Sequence, residues 1–432
     1  MEILQFQERS SWNALVLWIT LACGAVFVAG CGASDAKSPL PPGCPARSAE
    51  QDRDGERPHF VTRKLGGATT EGAAFLYQLN SANGSVRAIL NRGSDATDAL
   101  VFRDSRNRQL LWLERLIGRM SRLTRITCSQ GSKSREFGSL PENTFGLGYL
   151  DSGSLMALGW NDGKVSVFSE DFKQAMIENK TPGRVEAMSP LSNNDSHFNS
   201  LLSRGGLNYI LSTGYDLAGF KPTKAKFITL NHSENKTEMM EAINLGDAID
   251  IPECHNAYQE YTLQVSGSEI FMGCNPQFNG NNGLPVRLVY SSIDAAGGIV
   301  SRVLAANTDN DASMVLPGGL RVGGKWVFVT EQKVTDSSRI SVNPGRYLRS
   351  YWLDLETGEK KLMPGLGGNV VFDEVERSYV FSCVVRTDSS DGECSKNEFA
   401  VLPESEWDRA DLAKNIQVTY DYDFVQFERP IF

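Results

Sequence analysis

Residues 351–362, YWLDLETGEKKL, read as one unit of structure. Tyr351, Trp352, Leu353 and Leu355 favour an extended, half-buried strand. Thr357-Gly358 is a turn in which glycine accepts a left-handed backbone, and a short return strand follows. The same order of apolar strand, polar turn and return strand recurs at 77–90 (YQLNSANGSVRAIL), 158–168 (LGWNDGKVSVF), 227–240 (FITLNHSENKTEMM) and 288–304 (LVYSSIDAAGGIVSRVL). Residues 110–123 (LLWLERLIGRMSRL) fit the unit when read as strands, although their apolar positions also fit a helical stripe. Residues 399–402 open a last copy. Long helical periodicity is nearly absent, and 404–415 (ESEWDRADLAKN) is the best short helix.

These units recur every ~35–70 residues, about seven in all, the interval of propeller blades with insertions. Partner strands such as 319–330 (GLRVGGKWVFVT), with a Gly-Gly turn, lie between them. The pattern resembles a β-propeller. That resemblance implies an all-β fold, a single ring of about seven blades over residues 58–432, with each sheet covered on both faces by its neighbours. Residues 417–427 (QVTYDYDFVQF) alternate polar and aromatic, and as a strand would pair with N-terminal strands to close the ring. The alternative is a row of β-sandwich domains, also built from short strands and frequent turns. No Pro- or Ser-rich linker interrupts residues 60–432, which favours one closed unit.

The chain is 41% hydrophobic and 22% charged with net charge −9, a balance that excludes a coiled coil, a collagen-like rod and a wholly disordered chain. The acidic balance argues against nucleic acid as a partner. Residues 12–30 form an uncharged apolar run after a polar segment ending in Arg9, the order of a secretory signal. Val28-Ala29-Gly30-Cys31 resembles the lipobox of bacterial lipoproteins. The resemblance implies cleavage before Cys31, diacylglyceryl and palmitate-type acylation of that residue, and a protein held on a membrane of the cell envelope, by preference the outer membrane. Residues 1–30 are then the signal peptide and 31–57 a tether rich in Ser, Pro, Gly and charge. Glu2 and Glu8 outweigh Arg9, which departs from the usual positive start. An uncleaved single-pass helix is the alternative, since ~18 apolar residues just span a bilayer.

Beyond Cys23 and Cys31, six cysteines remain, an even number in an exported chain. Spacing favours Cys254–Cys274 and Cys383–Cys394, leaving Cys44 to Cys128. Motifs for chemistry are sparse, so no catalytic residue, metal or cofactor is assigned. Residues 319–326 (GLRVGGKW) approach a P-loop, but Trp326 stands where Ser or Thr must hold Mg²⁺ and a β-run replaces the helix. His59, His197, His232 and His255 lie at no ligand spacing. Residues 247–260 (DAIDIPECHNAYQE) hold the densest acidic cluster, read as a solvated loop beside a disulfide. Residues 103–135 carry eight Arg and one Lys against Asp104 and Glu114. Arg115, Arg119, Arg122 and Arg125 are candidate anion-binding residues, because guanidinium grips phosphate or carboxylate in two places; scattered surface charge is the competing reading. The expected role is a lipid-anchored binding or scaffold protein with a protein or anionic glycan or lipid partner. The alternative is an envelope hydrolase or lyase acting on glycan or peptide in a central funnel.

Overall fold

The computed structural model describes residues 57–64, 73–92, 96–104, 109–116, 121–126, 134–140, 144–150, 155–159, 164–168, 184–188, 196–216, 221–235, 240–251, 254, 256–275, 286–306, 313–333, 346–386, 392–395, 397–418 and 424–431. The expected Cys31 anchor, the 31–56 part of the tether, Cys44, Cys128 and Arg119 lie outside them.

Nearly all of these residues are strands. β1 (His59–Lys64), β2 (Ala73–Leu79) and β3 (Val86–Arg92) build the first sheet. β4 (Ala96–Asp104), β5 (Gln109–Leu116), β6 (Ser121–Ile126) and β7 (Ser134–Leu140) build the second. The third contains β8 (Thr144–Tyr149), β9 (Leu155–Gly159), β10 (Lys164–Phe168) and β11 (Arg184–Met188). The fourth contains β12 (Ser196–Arg204), β13 (Leu207–Asp216), β14 (Lys221–Asn235) and β15 (Met240–Asp250). β16 (Asn256–Ser266), β17 (Glu269–Asn275), β18 (Arg287–Ile293) and β19 (Ile299–Ala306) form the fifth. β20 (Ser313–Leu320), β21 (Trp326–Lys333), β22 (Arg346–Asp354) and β23 (Lys360–Leu362) form the sixth. β24 (Leu366–Asp373), β25 (Ser378–Val384), β26 (Glu398–Pro403) and β27 (Lys414–Gln417) form the seventh. The chain then returns: β28 (Phe424–Phe427) pairs with β1, and β29 (Arg429–Ile431) pairs with β4.

Period-two alternation explains why these sheets stand side by side as a propeller and not as separate sandwiches. In β21, Phe328 enters a cluster with Tyr379 and Phe381 of the seventh sheet, while Val327 and Val329 join Phe271 and Leu288 of the fifth. In β5, Leu111 and Leu113 meet Leu147 and Leu155 of the third sheet, and Leu110 and Trp112 meet Val61 and Leu76 of the first. Successive side chains of one strand thus serve two different seams. Phe60, Val380, Phe399 and Phe427 form the seam between the seventh sheet and the first, so the order closes on itself. The third and fourth sheets approach closely at Gly148, where an added Cβ would lie 2.8 Å from that of Leu201.

The recurring hairpin of the sequence is the outer pair of a sheet at β2–β3, β14–β15, β18–β19 and β22–β23, and the middle pair at β5–β6 and β9–β10. Within the ambiguous stretch, residues 110–116 and 121–126 are therefore strand: facing aliphatic sheets bury both sides of β5, which a single helical stripe cannot match. Residues 319–326 are a hairpin turn, with Gly323 and Gly324 at φ 82° and 86°.

Two expectations need correction. Residues 404–415 hold two 3₁₀ turns, Glu404–Glu406 and Ala410–Leu412, and the start of β27 in place of one helix. Packing overrides propensity here: the Trp407 ring lies 5.0 Å from Trp326, and the Trp407 carbonyl accepts the Trp352 indole N–H at 3.1 Å. Residues 417–427 are not one strand; Gln417 ends β27 in the seventh sheet and Phe424–Phe427 belongs to the first. Among the described residues no helix is long and apolar enough to cross a membrane.

Candidate active site

The return of the chain to the first two sheets brings together three residues far apart in sequence. β28 runs antiparallel to β1 with Phe427 opposite Phe60, and the Glu428 amide extends that ladder to the His59 carbonyl at 3.0 Å. The chain then crosses to β4, placing Arg429 opposite Phe102 and Pro430 opposite Arg103. Glu428 sits at the crossing. Beneath it, the Phe60 ring packs edge-on to Phe399 at 5.4 Å and Phe427 at 6.2 Å, which holds the crossing point in place.

The Glu428 carboxylate divides its oxygens. Oε1 accepts from Arg103 Nε at 2.5 Å, and Oε2 lies 3.2 Å from His59 Nδ1. Arg103 Nη2 donates to the Arg57 carbonyl at 2.9 Å and lies 3.3 Å from His59 Nδ1. His59 and the Glu428 side chain are buried, whereas the Arg103 side chain is 28% exposed and opens the cluster to solvent. Burial is the largest influence on His59 and, with the Arg103 and Arg87 charges, lowers its pKa below 6.5 against the opposing effect of Glu428. Burial pushes the Glu428 carboxyl up, but the Arg103 charge and the His59 bond outweigh it, and it titrates below 4.5. At neutral pH the pair is therefore a neutral imidazole and a carboxylate. The carboxylate only accepts and the Arg103 guanidinium only donates, so Nδ1 serves one of them at a time: carrying the proton it donates to Glu428, and without the proton it accepts from Arg103. Both polar contacts of the ring fall on Nδ1; among the described residues Nε2 has none.

Buried polar groups surround the cluster. Asp104, next to Arg103, is fully buried and accepts from the Tyr149 hydroxyl at 2.8 Å. Arg57, whose carbonyl anchors Arg103, bonds Glu376 at 3.1 Å and lies 3.9 Å from Asp373. Asp373, also fully buried, accepts from Ser81 at 2.6 Å and from the Val375 and Glu376 amides. Groups from four sheets thus contribute to holding the cluster.

The residues singled out from the sequence fall elsewhere. The register sets Arg115 opposite Ser121, Arg122 opposite Glu114, and Arg125 opposite Leu111 and Arg135. Cys254–Cys274 and Cys383–Cys394 are disulfides, with Cα separations of 5.1 and 5.2 Å. The first ties the segment after β15 to β17. Asp247 and Asp250 of the acidic cluster lie exposed on β15. Among the described residues no group of three His, Cys, Asp or Glu side chains is placed to hold a metal ion. His59, Arg103 and Glu428 escaped notice as a set, since 369 residues separate His59 from Glu428. The one available signal was the aromatic alternation before Phe427, which foretold pairing with the N-terminal strands.

No protein-family model matches the chain, and no curated protein does. Solved structures do. A structure from Bacteroides uniformis assigned as a 6-phosphogluconolactonase is 12% identical, with a TM-score of 0.50, over 86% of this chain and 99% of its own. One from Bacteroides fragilis with the same assignment is 10% identical, with a TM-score of 0.50, over 88% and 99%. Likeness at such identities concerns the fold alone: the class is the β-propeller.

Proposed function

We propose that this chain is a propeller hydrolase or lyase in which His59 is the general base, Glu428 its orienting partner and Arg103 the group that meets substrate anion. The observation that carries this reading is the division of the imidazole. In the tautomer that carries its proton on Nδ1 the ring donates to the Glu428 carboxylate, while among the described residues Nε2 has no polar partner. A neutral imidazole so held takes a proton at Nε2 and keeps the resulting positive charge beside Glu428. Deprotonating water in this way generates the nucleophile for an ester or lactone carbonyl, and the part-exposed Arg103 guanidinium faces the charge that forms on oxygen. The lactonase assignments of structures with the same fold make sugar lactones the first substrates to test.

The test uses the chain from Cys31 onward with gluconolactone and its 6-phosphate, monitored by proton release. His59→Ala is expected to lose ~10²–10⁴-fold in kcat/KM, and the wild-type rate to rise with pH through a midpoint below 6.5. Equal rates in wild type and His59→Ala would overturn the reading.

A second reading, a binding or scaffold platform, is favoured by one observation: Glu428 touches both β1 and β4, so the same cluster stitches the ring. In that reading His59→Ala lowers stability and no substrate turns over. In either case we infer a seven-bladed ring, one blade per sheet, tethered to the envelope through lipidated Cys31. Cys31→Ala is expected to release the protein from the membrane fraction. Arg115, Arg119, Arg122 and Arg125 remain proposed anion contacts, tested by retention of Arg119→Glu with Arg122→Glu on anionic glycan or lipid.

A further inference from the structure

The sheets of a propeller stand radially, so the innermost strand of each turns one backbone edge toward the axis. Among the described residues β8, β12, β16, β20, β24 and β28 are terminal in their sheets, and their axial edges carry no further strand. The second sheet differs. There β29 adds inside β4, parallel to it, with Arg429 opposite Phe102 and Ile431 opposite Asp104. β29 also lies within 8 Å, Cα to Cα, of β8 of the third sheet and β16 of the fifth. A three-residue strand is only ~10 Å long, so it reaches the inner strands of three sheets only by lying across the axis. Its partners on β4 are the last three residues of that strand, which fixes the end of the channel concerned. Pro430, in the middle of β29, lacks an N–H, which suits an edge where no strand is to add.

We propose that residues 429–431 floor the central channel, so that the propeller holds a one-mouthed well entered from the end where the inner strands begin. A solute that binds on the axis then enters and leaves at the end where β4, β8, β12, β16, β20 and β24 begin, and none passes through the ring. The inference rests on backbone pairing and is independent of any catalytic role for His59.

Hydrogen–deuterium exchange of the full chain tests it without a substitution. After correction for intrinsic rates, the amides of 102–104 that face β29 are expected to exchange at least about tenfold more slowly than the amides of 318–320 that face away from β21, at the equivalent end of β20, which has no axial partner. Deleting residues 429–432 should abolish that difference and speed exchange at 264–266 of β16, with β21 and β22 unchanged. Equal rates at 102–104 and 318–320 in the full chain overturn the proposal, as does protection of 102–104 that survives the deletion. Should the deletion variant fail to fold, the comparison within the full chain decides alone. Because exchange is read and not turnover, a failed activity assay leaves this result standing.

Discussion

The seam between the sixth and seventh sheets and the joint where the ring closes are held by different forces. The seam is aromatic and dry. Phe328 meets Trp352 at 5.2 Å and Phe381 at 5.1 Å, Trp352 meets Tyr379 at 5.5 Å, and all four are fully buried. Trp407 caps it between Arg321 and Lys361, 4.2 and 4.7 Å from its ring. The joint has an apolar base at Phe60, Phe399 and Phe427, but above that base it is ionic: Arg103, Glu428 and His59 are buried or half-buried together. Apolar packing is non-directional and builds between hairpins that follow one another in the chain. An ion pair in low dielectric is costly unless its geometry is complete, so it favours one register for β28 over its neighbours. The seam contributes stability, and the joint sets where the last strands stop.

That contrast can be broken at either side. Trp352→Ala removes the centre of the seam and should lower unfolding free energy by ~3–5 kcal/mol, read as a fall in the denaturant midpoint. Glu428→Ala should cost about 3 kcal/mol, because it strands Arg103 and His59 without a counter-charge. The discriminating variant is Arg103→Met with Glu428→Leu. If the joint acts through register more than through energy, this double change should cost less than Glu428→Ala alone. A double change that costs as much as the sum of the single ones would equate the joint with the seam.

Replacing Cys383 and Cys394 by Ser opens a loop of sequence separation 11 and should cost ~2–3 kcal/mol in the oxidised protein. The loss should vanish when wild type and variant are compared under reduction.

The joint, unlike the seam, should also respond to acid. The folded pKa of His59 lies below its ordinary 6.5 and that of Glu428 below 4.5. Below 6.5 the unfolded chain therefore binds more protons than the folded one at His59, and stability declines as pH falls; Glu428 adds to the decline below 4.5. Full stability is present above 6.5. His59→Phe should flatten the upper part of this decline in a pH series of thermal midpoints, while Trp352→Ala shifts the whole curve without changing its slope. The smallest effect belongs to Gly323, at φ 82° in an open turn, where Ala should cost about 1 kcal/mol from backbone strain alone.

Much of the fold was written locally. A strand such as 351–355, with its turn at Thr357-Gly358, carries its own propensity and its own left-handed glycine at φ 74°, so the hairpin is legible without the rest of the molecule. The two described disulfides followed from spacing. The 404–415 stretch was misread for the opposite reason: its helical propensity is real, but Trp407 gains more by packing on Trp326 and Trp352 than by continuing a helical turn. The Arg-rich 103–135 segment was legible as charge, and among the described residues it is Arg103 that reaches the candidate site, because the end of β4 meets the returning chain.

What the sequence by itself determined is therefore an all-β chain of repeated hairpins, since strand propensity and turn chemistry act over a few residues. The tertiary structure alone decided that Glu428 lies between His59 and Arg103 and that residues 429–431 cross the axis. The contacts of Glu428 join positions more than 300 apart, and their geometry exists only once the two-faced sheets have packed side by side and left the last strands one place to pair.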